Sequence, residues 1–494
     1  MSDHLPALIV VLPLSAAVLT PVAALIAPGL ARGLTLSVLV STCFISWGAL
    51  VRVLREGVWH YHLGGWAPPW GIELVIDPLS GAMAVLVSSI AVLVAFYAAP
   101  PLRDWPGVRR GVWYALFLLL VAGLLGMVVT GDMFNLYVFL EIASLAAYAL
   151  LASSGGRAFV ASFRYLLVGT IAASFYLLGI GYLYALTGTL NMADLAARLP
   201  AVVDSPVVTV AVSLIVVGLA IKSALFPLHG WLPDAYTYAP GPAVGFIAAV
   251  MAKVSAYALF RVLYFVFGTR GAAGEALILL GWASALAVVA GSMMAVAQKD
   301  IRRMLAYSSV GQMGYIMLGF AIGGPTAITG ALLHVLNHAV MKGCLFLIAG
   351  GVLWRTGVYR IQDFVGMSRR MPVTMAAFSL AAFSMIGLPP TAGFFSKYYL
   401  ALGAIETGRW PFLAALVLSS LLSAVYFFRV IERSYLLRSK AGEPASSTPV
   451  RPQELPGLML VPIVVLAGGV LLLGVLNQTV VMRVIQFALP TAGT

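Results

Sequence analysis

Four of the chain's six lysines, Lys222, Lys253, Lys342 and Lys397, lie inside long apolar stretches. A lysine at the centre of a bilayer costs about 2.5–3.5 kcal/mol on insertion scales, so such residues face a bundle interior and mark ion pathways. Glu141, in Asn135-Leu-Tyr-Val-Phe-Leu-Glu141, is the only acid deep inside any of these stretches. A carboxylate in a low dielectric needs a nearby cation to stay charged, and Lys222 is the natural partner. The alternative is a static pair that only locks two helices. His334, His338 and Lys342 are spaced i, i+4, i+8, which puts three ionisable groups on one helix face. Histidine exchanges protons near neutral pH. Zinc would need a third nitrogen, sulfur or carboxylate ligand beside the two histidines, and none is visible locally. Histidines that only hydrogen-bond to neighbouring helices are the other alternative. Lysine changes its proton affinity readily when desolvated, so Lys253 and Lys397 can bind and release protons. Snorkelling of the ammonium to the interface is the alternative for each.

These groups need a membrane scaffold, and the composition supplies one. The chain is 62% hydrophobic and 9% charged, against about 25% charged in a soluble domain. A span takes about 20 apolar residues. Fourteen stretches qualify, at 5–28, 33–53, 78–99, 112–130, 133–152, 160–187, 207–227, 243–268, 273–297, 303–321, 326–352, 373–404, 411–435 and 456–476. The first has Asp3 and His4 in place of a basic leader, so it reads as a retained helix. The two cysteines, Cys43 and Cys344, fall in different stretches. They are too few for an iron–sulfur cluster, which usually takes four, and read as small buried hydrophobes. Neither a cofactor nor a metal is expected.

The net charge of +12 is spread over short loops, which argues against nucleic acid and reports topology instead. Connections after odd-numbered spans carry eighteen basic residues, and those after even-numbered spans, with the tail, carry six. The positive-inside rule then places odd connections in the cytoplasm and both termini on the outer side of the cell membrane.

Two spans look broken. The seventh runs into Lys222-Ser-Ala-Leu-Phe-Pro227-Leu-His229-Gly-Trp-Leu-Pro233-Asp234, and the twelfth contains Gly387-Leu-Pro389-Pro390-Thr-Ala-Gly393-Phe-Phe-Ser-Lys397. Proline removes a backbone donor and kinks a helix, and such a break survives in a membrane only inside protein or along a watery cavity. His229 and Asp234 are candidate supporting polar groups. The breaks are five spans apart, so a five-helix unit (spans 4–8, residues 112–268) followed by its copy (spans 9–13, residues 273–435) must be inverted. Paired interrupted helices of this kind point to a transport site between repeats. Residues 1–111 form an N-terminal three-helix segment, and 436–494 a cytoplasmic linker with the last helix. The expected fold is all-α and polytopic. A short outer hairpin is expected over Trp66 to Asp77, where residues alternate between turn formers. Ser439 to Leu455 reads as a polar, proline-rich linker. No dinucleotide fingerprint, phosphate loop or HExxH zinc motif is present.

The motifs themselves are familiar. Thr130-Gly-Asp132-Met-Phe-Asn-Leu-Tyr137-Val-Phe-Leu-Glu141 resembles the fifth-helix motif of the D-type component of Mrp-type sodium/proton antiporters. Lys222-Ser-Ala-Leu-Phe-Pro227-Leu-His229-Gly-Trp231-Leu-Pro-Asp234-Ala, Asn337-His338-Ala-Val-Met-Lys342-Gly-Cys-Leu-Phe-Leu and Gly387-Leu-Pro-Pro390 resemble motifs of the wider family. That family includes the antiporter-like subunits of respiratory complex I and of membrane-bound hydrogenases. The resemblance covers nearly the whole chain and implies a proton relay through Glu141, Lys222, Lys253, His334, His338 and Lys397, with Lys342 matching a recurrent family lysine. The end of the chain soon after the fourteenth span, and a lysine rather than a glutamate at Lys397, favour the Mrp D-type component or its hydrogenase counterpart. The implied function is proton translocation coupled to sodium or another monovalent cation, among other membrane subunits of a hetero-oligomeric complex. The rival is a proton-pumping subunit of a complex I-type dehydrogenase or a membrane-bound hydrogenase, whose cofactors would sit in partner subunits.

Overall fold

The computed structural model describes residues 4–437 and 453–489. Among these residues, twelve helices are long and apolar enough to cross a membrane. Six precede the first break: α1 Leu5–Ile26, α2 Pro28–Glu56, α3 Pro78–Ala98, α4 Gly107–Val129, α5 Met133–Ala152 and α6 Arg157–Thr187. A short helix, α7 (Met192–Arg198), follows outside the spans. The seventh crossing is interrupted, as α8 (Pro206–Lys222) and α9 (Leu232–Tyr238). Next come α10 (Gly241–Val266), α11 (Gly271–Val296), α12 (Ile301–Ile322) and α13 (Gly324–Thr356). The twelfth crossing is interrupted as α14 (Pro372–Ile386) and α15 (Ala392–Glu406). Helices α16 (Trp410–Tyr435) and α17 (Gly457–Val475) complete the bundle. Twelve helices and two interrupted pairs reproduce all fourteen stretches within a few residues. The linker expected from Ser439 falls, up to residue 452, outside the described residues.

The two units pack alike over their first three helices and differ at the interrupted crossing, where one uses the half before the break and the other the half after it. In one, α4 lies on α5, α5 on α6, and α6 on the interrupted α8; in the other, α11 lies on α12, α12 on α13, and α13 on α15. The most apolar stretches of α10 and α13 are wholly enclosed, whereas α1, α2, α6, α16 and α17 leave most of theirs open. Lys253 lies in the enclosed stretch of α10, and His334, His338 and Lys342 in that of α13. Helix α10 also carries two wide π turns, Ile247–Met251 and Val262–Val266, on either side of its regular segment Ala252–Arg261. Such turns shift the helix register and occur often at functional sites.

Each break has its backbone satisfied by protein, as a membrane requires. At the first, Trp231 Nε1 donates to the carbonyl of Ile221 at 3.0 Å, and Tyr165 stacks on the indole with ring centres 3.8 Å apart. Ala224 bends the chain with φ 54°. At the second, Gly387 does so with φ 98°. A Cβ there would also lie 3.1 Å from Cδ of Lys397, so this turn needs glycine. Asn337 Nδ2 donates to the carbonyl of Ala392 at 2.8 Å, and Ser384 Oγ accepts from Gly393 N at 2.9 Å.

One face of the bundle gathers the connections that follow even-numbered crossings. Its hairpin pairs β1 (Trp59–His62) with β2 (Glu73–Ile76), antiparallel, His62 opposite Glu73. The expected hairpin over Trp66 to Asp77 therefore contains only the second strand. The first strand starts earlier, at Trp59, in a run of aromatic and histidine residues before the expected segment. Single bridges tie Leu74 to Thr130 and Asp132 to Asn191, so the hairpin seats on the α4–α5 and α6–α7 turns. The opposite face holds the arginine-rich odd connections. There Asp234 pairs with Arg164 at 3.0 Å and with Arg303 at 3.1 Å. Arg302, buried, donates to the carbonyls of Tyr236 and Ala239.

Candidate functional site

The expected glutamate–lysine pair forms. Lys222, the last residue of α8, turns its ammonium onto α5, where residues one turn apart share a face. It donates to Ser144 Oγ at 2.7 Å and to Glu141 Oε1 and Tyr148 Oη at 3.4 Å each. Lys222 is 2% exposed and Glu141 25%, so the carboxylate sits at the edge of the bundle and the ammonium inside it.

Lys397 occupies the corresponding crossing but reaches its place differently. It follows the break, on α15, and bends back to donate to the carbonyls of Met385 at 2.7 Å and Ile386 at 3.1 Å, the last residues of α14. It also donates to Ser420 Oγ at 3.3 Å, and its nitrogen lies 4.8 Å from the centre of the Tyr315 ring. This inward turn excludes snorkelling. Both ammoniums therefore sit at the carbonyl end of the first half-helix of their crossing, where the helix dipole favours a cation.

Between them lies the central row. His334 is held by Ser396 at Nδ1 and by Gln312 at Nε2, each at 2.8 Å, which leaves neither nitrogen for a metal. His338 stacks parallel to it, ring centres 5.6 Å apart, and neither of its nitrogens has a hydrogen-bond partner among the described residues. Lys342, a turn further, donates to the carbonyl of Leu305 at 2.8 Å and to Ser308. Lys253 is 1% exposed and donates to the carbonyl of Ala248, in the π turn, at 2.5 Å, which also excludes snorkelling. The π turn beside it packs against α13, the helix that carries both histidines.

The row is not one continuous wire. Among the described residues no hydrogen bond joins the Lys222 cluster to Lys253. Pro227, Pro389 and Pro390 sit in the two breaks as expected. His229 stacks on Phe226 beside the first break, its Nδ1 unpaired among the described residues. Asp234 belongs to the arginine network of one face and not to the central row. Sequence reasoning missed Ser144, Tyr148, Gln312, Tyr315, Ser396 and Ser420, common residues whose role depends on which helix faces which. It also missed a fifth membrane cation, Arg261 on α10, which pairs with Asp77. The insertion-cost argument that singled out the lysines applies to Arg261 equally and would have found it.

Residues 130–423, which hold both breaks and the whole row, match the family model described as NADH:quinone oxidoreductase/Mrp antiporter, transmembrane. The chain belongs to this family. Among members of the NADH:quinone oxidoreductase/Mrp antiporter family, it is 56% identical to the N-type subunit of the NADH-quinone oxidoreductase of Desulforudis audaxviator (strain MP104C), over 99% of both chains. It is 30% identical to the D-type component of the Na(+)/H(+) antiporter of Alkalihalophilus pseudofirmus, over 89% of this chain and 87% of that one. Its fold superposes with a TM-score of 0.90 on a chain of the membrane-bound sulfane sulfur reductase, an archaeal respiratory membrane complex. That pair is 33% identical over 98% of this chain and 96% of the other. Like them, it is a multi-pass membrane protein of the antiporter-like type.

Proposed function

We propose that this chain is a proton-translocating subunit of a redox-driven respiratory membrane complex of the complex I type. The observation that carries this reading is the row of enclosed ionisable groups from Glu141–Lys222 through Lys253, His338 and His334 to Lys397. Two identities bear on the choice of complex. The oxidoreductase relative, at 56%, stands well above the antiporter D-type relative, at 30%. The first expectation, an Mrp D-type component exchanging sodium for protons, thus yields to its rival, and sodium transport becomes the second reading. Its support is the 30% match over 89% of the chain.

A proton reaching the Lys222 cluster weakens the ion pair with Glu141 and leaves a net charge at the first break. Lys253 responds electrostatically and exchanges its proton with the imidazoles. His338, free at both nitrogens among the described residues, passes it to His334, whose neighbours Ser396 and Tyr315 border Lys397. Units 112–268 and 273–435 act as the two halves of the transporter, residues 1–111 flank them, and 436–494 return to α17. The positive-inside rule puts the arginine-rich face in the cytoplasm, and with it both termini outside the cell membrane. Other membrane subunits complete the assembly, and this chain itself holds no redox group in this reading.

The test is to purify the native complex and reconstitute it into proteoliposomes. Iron–sulfur absorption together with proton uptake on quinone reduction supports the main reading. A colourless complex whose proton flux follows an imposed sodium gradient overturns it in favour of the antiporter.

A further inference from the structure

Arg261 is a membrane cation for which the central row has no use. It lies on the same face of α10 as Lys253, with Tyr257 between them, at i, i+4 and i+8 within the regular segment Ala252–Arg261. Arg261 Nε donates to Tyr257 Oη at 3.0 Å, and its Nη2 donates to Asp77, the capping residue of α3. The Tyr257 hydroxyl donates to the carbonyl of Val128 at 2.9 Å. Tyr257, Arg261 and Asp77 line a cavity of about 390 Å³ on the hairpin face, whose wall also carries Glu73 and His60. Glu73 is 6% exposed and held by His60 Nδ1 at 2.7 Å, His62 Nε2 at 3.6 Å and Asn191 Nδ2 at 3.1 Å. Groups that can hold a proton or a charge therefore run from the enclosed Lys253 to one face of the bundle.

We propose that the Asp77–Arg261 pair is the gate of a proton exit from Lys253 to the hairpin-side cavity, with Glu73 and His60 as acceptors at its mouth. This rests on Lys253 being a proton carrier, as in the reading above. The guanidinium and carboxylate are 17% and 16% exposed, at the edge of the cavity where the pair can part. The π turn directly after Arg261 loosens the helix that carries it. A charged Lys253 repels Arg261. Once the guanidinium leaves Asp77, the Lys253 ammonium swings from the Ala248 carbonyl to the Tyr257 oxygen, one turn away on the same face. An N–H bond breaks, and its proton passes to that oxygen. The hydroxyl gives up its own proton to the Asp77 carboxylate. Lys253 is left as a neutral amine and Asp77 as a carboxylic acid. Asp77 then hands the proton to Glu73 or His60, and its carboxylate closes again on Arg261.

The test uses the whole complex in proteoliposomes, with subunit content checked for each variant. Arg261→Gln leaves the gate unlatched, and passive proton leak without turnover rises about tenfold, the factor for losing a pair worth ~1.4 kcal/mol. Adding Lys253→Met to that variant returns the leak to its starting level, which a mere structural hole would not do. Asp77→Asn, which keeps a capping oxygen for Ser80, removes the acceptor and cuts driven proton transport about tenfold without any leak. A leak that persists in the double variant, or unchanged transport in both single variants, overturns the gate. If Lys253→Met alone leaves driven transport intact, the carrier role of Lys253 fails. If it abolishes transport while Arg261→Gln changes nothing, the gate alone fails.

Discussion

The two interrupted crossings hold the same ion in opposite ways. At the first, Lys222 faces a full negative charge, Glu141, with two hydroxyls beside it. At the second, Lys397 faces only dipoles: two backbone carbonyls, the Ser420 hydroxyl and the face of Tyr315. A proton that leaves Lys222 strands a carboxylate in a place poor in water. One that leaves Lys397 strands nothing, because carbonyl dipoles serve a neutral amine almost as well. The first crossing thus couples the state of two residues, and the second can load and unload alone. Corresponding crossings have thus been given unequal electrostatics.

The largest expected effect is therefore at the acid. Glu141→Gln leaves Lys222 unpaired, a loss of about 3 kcal/mol for a buried pair, and proton translocation in vesicles falls about two orders of magnitude. The counterpart at the second crossing, Ser420→Ala, removes one neutral acceptor and costs about 0.5–1.5 kcal/mol, a few-fold in rate. Equal losses at the two sites would erase the contrast between charge and dipole.

A second contrast lies in how the two breaks turn. Gly387→Ala places a side chain at φ 98° against the stem of Lys397, and the thermal midpoint of the purified complex should fall by the equivalent of about 1–2 kcal/mol. Ala224→Gly should move it by less than about 1 kcal/mol, because relief of a left-handed alanine is offset by a freer unfolded chain. A fall on Ala224→Gly as large as that on Gly387→Ala would mean that backbone strain does not distinguish the breaks.

A third expected effect lies outside both crossings, at the Asp77–Arg261 pair. Burial pushes the Asp77 carboxyl up, but the Arg261 guanidinium and the bonds from Ser80 outweigh it and hold Asp77 below the usual carboxylate range. A group so lowered stabilises the fold above its unfolded value, about 3.9, and loses that contribution as pH falls through the lower folded value. Asp77→Asn should lower the thermal midpoint at pH 7 by the equivalent of about 1–3 kcal/mol, because it leaves a largely buried guanidinium without its charged partner. The difference should shrink below pH ~3.9 and close beneath the folded value. A gap that persists in acid would assign the effect to packing.

Much of this was written in the chain. The fourteen crossings, the two breaks and the glutamate–lysine pair follow from insertion cost, proline chemistry and helical spacing. What stayed hidden depends on helix rotation. Serine and tyrosine recur along many spans, and only packing selects Ser144, Tyr148 and Ser396 from among them. Asp77 reads as an ordinary helix cap, and nothing local shows Arg261 arriving from 184 residues away. The partners of Asp234, Arg164 and Arg303, were hidden for the same reason, since they come from distant connections. Spacing along one helix also suggested an unbroken route, whereas the gap between the Lys222 cluster and Lys253 is a matter of three dimensions. The shared motifs occur across the family, so they do not distinguish its 56%-identical oxidoreductase relative from its 30%-identical antiporter relative.

The arginine network around Asp234 has a mechanical meaning. Helix α9 belongs to the first unit, yet Arg302 and Arg303 rivet it to α12 of the second. The half-helix that follows the break beside Lys222 is thus anchored at one face to α12. The same α12 supplies Gln312 to His334, so packing joins the first break to the central row where, among the described residues, no hydrogen bond does.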